Sequence, residues 1–135
     1  MFKLAKIMNS GINVPEIEKI KKKADIKLSE GCLLNIKDGV LDSFESASLP
    51  MYITLEAADE NYGGEVRCYR VCHGMVFYTR LIGDVEPLKV GVKVDVFTGN
   101  GQATDVTSDT ANPIAEVVSL CSAKRMGDKI KVKLL

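Results

Sequence analysis

Tryptophan is absent from this chain, histidine occurs once, and aromatic residues make up only 6% of it. Aromatic packing cannot fill the interior, so Val, Ile and Leu must. Net charge is missing too: 18 basic and 18 acidic residues cancel. A general nucleic-acid binder needs a net positive footprint to displace counterions, so that class is excluded, as is electrostatic docking on a membrane. Long apolar runs are lacking: no stretch approaches the roughly 18 residues of a membrane helix. The segment Met1–Ile7 carries two lysines among five apolar residues and has no signal-peptide core. These readings place the protein in the cytoplasm unless it leaves as part of a larger particle.

What is present suits one small globular domain. The 135 residues are 46% hydrophobic and 27% charged, and a domain near this size buries roughly 68% of its unfolded surface. Four cysteines, Cys32, Cys68, Cys72 and Cys121, stand in a chain without a secretion signal. Free, buried thiols are the expectation there, rather than disulfides.

The apolar pattern has a period of two over most of the chain. Phe2 to Met8 reads as a short strand, ended by Asn9-Ser10-Gly11. Pro15 and Glu16 suit a helix start, Lys21 to Lys23 its end, and Ile17 and Ile20 would share a face, which predicts about two helical turns. From residue 26 onward, strands and turns alternate. Cys32–Ile36 and Val40–Phe44 flank Lys37-Asp38-Gly39, a hairpin signal. Met51–Leu55 follows Pro50, and Asp59–Gly64 is a polar loop. Val66–Cys72 and Met75–Arg80 flank His73-Gly74, read as a second hairpin. In Lys89–Phe97, Val90, Val92, Val94 and Val96 face one way and Lys89, Lys93 and Asp95 the other. Thr98–Gly101 turns, Thr104–Thr110 is weakly β, Ile114–Cys121 is an apolar central strand, and Ile130, Val132 and Leu134 alternate with lysines at the end. No internal repeat is visible. The pattern predicts an all-β fold: a small antiparallel β-barrel or sandwich of about 7–9 short strands, with one short N-terminal helix or arm. Residues 1–23 form the arm and 24–135 the barrel.

Chemistry-bearing residues are sparse. His73 beside Gly74 reads as a turn residue, and Cys72 next to it points to the opposite face of a strand. Cys68 and Cys72 have three residues between them, not the two of common metal and haem motifs, and in a strand would lie too far apart for a mutual disulfide. Gly99-Asn100-Gly101 lacks the Lys-Ser/Thr ending of a phosphate loop. Scattered carboxylates such as Asp38, Asp42, Glu56 and Asp105 fix no catalytic pair. The reading is no catalytic residue, no metal and no cofactor. The competing reading is a small thiol enzyme using Cys72 or Cys68 with His73; a third, a ligand-binding barrel, requires an apolar cavity that a barrel this small fills with its own side chains.

Five segments carry a resemblance: Asn13-Val14-Pro15-Glu16-Ile17, the hairpin from Gly31-Cys32-Leu33 to Gly39-Val40-Leu41, Pro50-Met51-Tyr52-Ile53, Val90-Gly91-Val92-Lys93-Val94, and Gly127-Asp128-Lys129-Ile130-Lys131-Val132-Lys133-Leu134. In this order they resemble small virion proteins of tailed bacteriophages and prophages, of the head-decoration, capsid-stabilising type. The resemblance implies a non-enzymatic structural protein whose partner is the major capsid protein or another virion protein, located in the virion, and a homo-oligomer among the expectations. It implies no catalytic residues, no nucleic acid and no membrane. The arm is the expected attachment element, through Phe2, Leu4, Ile7, Val14, Ile17, Ile20, Lys21 and Lys22, by ordering on the partner or adding a strand to a sheet edge.

Overall fold

The computed structural model describes residues 1–7, 15–72, 74–99, 102–108 and 113–135. Eleven strands run through them: β1 Lys3–Ile7, β2 Ile17–Lys21, β3 Leu33–Lys37, β4 Val40–Ser43, β5 Met51–Thr54, β6 Glu65–Arg70, β7 Met75–Ile82, β8 Lys93–Gly99, β9 Gln102–Thr107, β10 Ala115–Ser119 and β11 Lys129–Leu134. The chain is all-β among the described residues, as the period-two pattern predicts.

Five strands close into a small barrel in the order β7-β11-β10-β8-β9, with β9 returning to β7 through the parallel pairs Leu81–Val106 and Ile82–Thr107. The alternating residues of β11 explain its placement: Ile130, Val132 and Leu134 are buried while Lys129 is exposed. The first half curls similarly, in the order β2-β6-β5-β3-β4, and Lys22 just beyond β2 meets Leu41 of β4 in a single parallel bridge.

Each ring has its own interior. Leu28, Cys32, Leu34, Leu41, Tyr52, Val66 and Cys68 fill the first. The larger cluster includes Phe77, Leu81, Val94, Val106, Ile130 and Val132. Each fully buried Leu, Val or Phe contributes on the order of 1.5–3 kcal/mol. Because strand side chains alternate, Leu33, Ile53 and Tyr69 leave the first ring outward and join the larger cluster with Phe2 and Val71. That apolar row, together with the Leu33–Ala103 pairing of β3 with β9, holds the two halves together.

Local chemistry sets the turns. Asp38 (φ 51°) and Gly39 (φ 80°) both take positive φ, the type I′ geometry that joins β3 to β4 as the Asp-Gly signal predicts. Gly31 (φ 70°) leaves no room for a side chain, since a Cβ there would run into Met1. Asn35, fully buried, organises the loop after β4. Its amide nitrogen donates to the carbonyls of Ser46 (3.0 Å) and Pro50 (3.2 Å), and its oxygen accepts from the amides of Glu45 (2.6 Å) and Ser46 (3.0 Å).

Four expectations are corrected. The helix expected over residues 15–23 is strand β2. Five consecutive residues of it, Ile17 to Lys21, pair with β6, and a two-turn helix is too short to compete with a complete strand ladder. The described strands of residues 1–23 do not stand apart as an arm: β1 pairs with β7 and β2 with β6. The hairpin expected around His73-Gly74 does not form, because β6 pairs with β2 and β5 while β7 pairs with β1, β9 and β11. Its two arms belong to different rings, so the turn between them is the crossover. Finally, the strand expected from Lys89 begins at Lys93. Gly91 (φ 94°) and the Val92–Lys89 turn hydrogen bond place Val90 in solvent, and Leu88 is buried in its stead.

Candidate functional site

The eight residues expected to form one attachment arm are divided between two environments. Phe2 is buried, its ring meeting Phe77 edge-on at 6.1 Å and 85°, and its amide donates to the Gly31 carbonyl (2.9 Å). Leu4 is half-buried beside it. Ile7 pairs with Met75 through its backbone. These residues hold β1 to the larger barrel. Val14 lies outside the described residues.

On β2, Ile20 packs against the smaller core, while Ile17 (55% exposed) and Lys21 face solvent. Lys22, expected to face a partner, is 1% exposed. Its Nζ donates to the Lys23 carbonyl at 2.8 Å. Burial lowers its pKa from the ordinary lysine value, and nearby Asp25 and Glu60 oppose that shift.

Ile17 and Lys21 thus lie on an exposed strand, and Lys19 is exposed between them. Ile17 sits opposite Tyr69, itself opposite Ile53, so the outward apolar row ends at Ile17 in the open. A groove of about 390 Å³ runs between this row and the β1 segment, lined by Ile17, Ile53, Leu55 and Tyr69 on one side and Phe2 and Leu4 on the other. Lys19 lies opposite Arg67, which is held by the Glu56 carboxylate at 3.2 Å. The Arg67 amide and guanidinium lower the pKa of Glu56.

The thiols divide evenly. Cys32 and Cys68 are buried; Cys72 and Cys121 are exposed, so the expectation of burial fits two of the four. Burial raises the Cys32 pKa to about 11 and the Cys68 pKa to about 12. A catalytic thiol needs the opposite shift, toward the thiolate, so burial leaves Cys68 a poor nucleophile. Cys72 lies beyond the end of β6 and does not share a strand face with Cys68. His73 lies outside the described residues. Among the described residues no group of three or more His, Cys, Asp and Glu side chains comes together in a way that could hold a metal ion. No described helix is long and apolar enough to cross a membrane.

Two polar clusters have no counterpart in the sequence reading. Asp105, 5% exposed, receives Arg80 through two bonds of 3.2 and 3.3 Å and the Thr104 hydroxyl at 3.1 Å. The Tyr78 ring carries the Nζ of Lys129 and Lys131 at 5.3 and 5.0 Å from its centre. Both depend on pairing between distant strands. The alternating lysines of the last strand signal its solvent face, but not that Tyr78 lies beneath them.

Comparison of the chain with protein-family models, with curated proteins and with solved structures gives no match.

Proposed function

We propose that the chain is a non-enzymatic structural and binding protein, a virion component of a tailed phage or prophage that attaches to a lattice of major capsid protein. The observation that supports this is the β2 edge. An exposed strand whose edge has no pairing partner among the described residues, an exposed Ile17 at the end of an apolar row and two lysines is a surface equipped for another polypeptide. The rest of the molecule suits a part that folds first and attaches later: two filled cores and tight turns give a stiff body, and balanced charge spares it mutual repulsion.

The test is co-sedimentation of the purified chain with shells assembled from the major capsid protein encoded in the same genome. Saturable binding at a fixed ratio to the capsid subunit is expected. Absence of the chain from the pelleted shells would overturn the proposal.

A further inference from the structure

The two rings repeat each other pair by pair. The Lys22–Leu41 bridge that closes the first corresponds to the Leu81–Val106 pair that closes the second. Ile20–Val66 corresponds to Thr79–Ile130, and Tyr52–Arg70 to Ala115–Leu134. Leu34–Tyr52 matches Val94–Ala115, and Ile36–Leu41 matches Val96–Val106. Every residue that recurs in these pairs keeps the same counterpart. The bonds outside the ladders match as well. Gly31 donates to the Thr54 carbonyl and Gly91 to that of Val117, both at 2.9 Å, and Lys22 donates to Gly64 (3.0 Å) as Leu81 does to Asp128 (3.1 Å). The chain is therefore two copies of one five-stranded unit, related by register rather than by visible sequence repetition.

The copies differ in one place that bears on binding. β1 covers the edge of β7, placing Lys3 opposite Tyr78, Leu4 opposite Phe77 and Lys6 opposite Val76. The counterparts in β2 are Lys19, Glu18 and Ile17, and among the described residues nothing pairs with that edge. The Lys22 amide points to β6 and the Lys23 amide to β4. Alternation then places the backbone groups of Ile17 and Lys19 on the open side, while the Lys21 carbonyl faces β4.

We propose that this edge accepts an extended antiparallel segment of a partner protein, one with acidic residues opposite Lys19 and Lys21 and an apolar residue opposite Ile17. The proposal deepens the binding reading above and rests on it only in taking the partner to be a protein. Charge decides against a second copy of this chain. Antiparallel pairing of β2 with itself sets Lys19 against Lys19, Glu18 against Glu18, Glu16 against Glu18 or Lys19 against Lys21, as the axis passes through Lys19, Glu18, Ile17 or Ile20. A second copy's β1 in the register it uses on β7 would set Lys3 against Lys19 and Leu4 against Glu18. Directly opposed like charges destabilise a strand pair, so the edge rejects self-association while admitting an acidic strand. Among the described residues neither Lys19 nor Lys21 makes an ion pair, so both remain available to a partner's carboxylates. An apolar residue opposite Ile17 would extend the row of Ile53 and Tyr69 by one strand.

The test uses the full chain and two blocked nonapeptides, Thr-Val-Glu-Thr-Glu-Lys-Val-Thr-Gly and the same sequence with both Glu replaced by Lys, followed by amide NMR and hydrogen exchange. The acidic peptide is expected to slow exchange at the Ile17 and Lys19 amides. It should bind about tenfold more tightly than the lysine peptide, given two reversed cross-strand pairs. The exposed double substitution Lys19→Glu with Lys21→Glu should invert that preference. Equal affinity for both peptides, no binding by either, or protection at another strand edge would overturn the assignment. Those outcomes leave lattice attachment to its own co-sedimentation test, and failed co-sedimentation beside intact peptide binding separates the two ideas the other way.

Discussion

Replacing Asn35 with Ala removes a buried polar side chain that has no apolar role. Five hydrogen bonds tie it to the loop after β4: three donated to the Ser46, Leu49 and Pro50 carbonyls, that to Leu49 the longest at 3.5 Å, and two accepted from the Glu45 and Ser46 amides. A hydrogen bond of this type contributes roughly 1 kcal/mol net, and a buried group left without a partner costs about 1–3 kcal/mol. The loop is partly open, so water can reach some of the freed groups, and the total comes to about 3–4 kcal/mol. A chain of this length has a stability of roughly 7–20 kcal/mol, so the variant should still fold. With a urea slope near 2 kcal/mol/M, the unfolding midpoint should fall by about 1.5–2 M. Amide exchange through residues 45–50 should accelerate in the same variant. Ser48→Ala is the control. Ser48 belongs to the same loop, but its hydroxyl makes only an exposed contact with that of Ser46 (2.7 Å), and its removal should cost less than about 0.5 kcal/mol. A loss below about 1 kcal/mol for Asn35→Ala, or equal losses for the two variants, would refute the reasoning.

Other outcomes follow from the same structure. Under native conditions at pH 8, a thiol reagent should modify Cys72 and Cys121 and leave Cys32 and Cys68 untouched until urea unfolds the chain; rapid reaction of all four would contradict the burial of the latter two. The raised pKa values of Cys32 and Cys68 also have a sign: the stability they contribute is complete below the unfolded thiol value near 9 and declines as pH rises toward 11 and 12. Lys22→Leu should hold or raise stability, by up to about 1 kcal/mol, because Leu81 fills the matching position of the second ring. A lowered lysine pKa means that folding penalises the charged form, so this gain should shrink as pH climbs toward the ordinary value of 10.5; a gain that grows with pH would count against it. Phe2→Ala should cost about 3–4 kcal/mol and speed exchange along β7, read by urea melts and amide exchange; unchanged β7 protection would separate β1 from the barrel.

Much of the architecture can be read from the residues because its signals are local. Asp38-Gly39 sets a turn through positive φ, and Ile130, Val132 and Leu134 mark a strand face through alternation. The errors lie where pairing partners are distant in sequence. Ile17 and Ile20 satisfy a helical spacing, and only the presence of β6 fifty residues away makes β2 a strand. Val66–Cys72 and Met75–Arg80 look like hairpin arms because nothing local shows that each already has partners elsewhere. Val90 fits the alternation of its neighbours, yet Gly91 bends the chain before the pattern can be used. Lys22 carries the charge of a surface residue and occupies a core position, held by its Nζ contact with the Lys23 carbonyl. Of the expected attachment residues, Ile17 and Lys21 remain outward, and Lys19, part of the same basic run in the sequence, is exposed between them.

The parallel contacts at Lys22–Leu41 and Leu81–Val106 follow from counting. Strand direction can alternate all the way around a ring only if the number of members is even, and five is odd. Each ring must therefore contain one place where two neighbours run the same way, and here that place spans one or two residues. In the first circle it is the shortest ladder, the seam where the hoop was fastened; in the second it has two pairs, as many as the β8–β10 ladder. The first circle should come undone there, uncurling into a flat ribbon while its longer antiparallel ladders are still intact, and the second at one of its two short ladders.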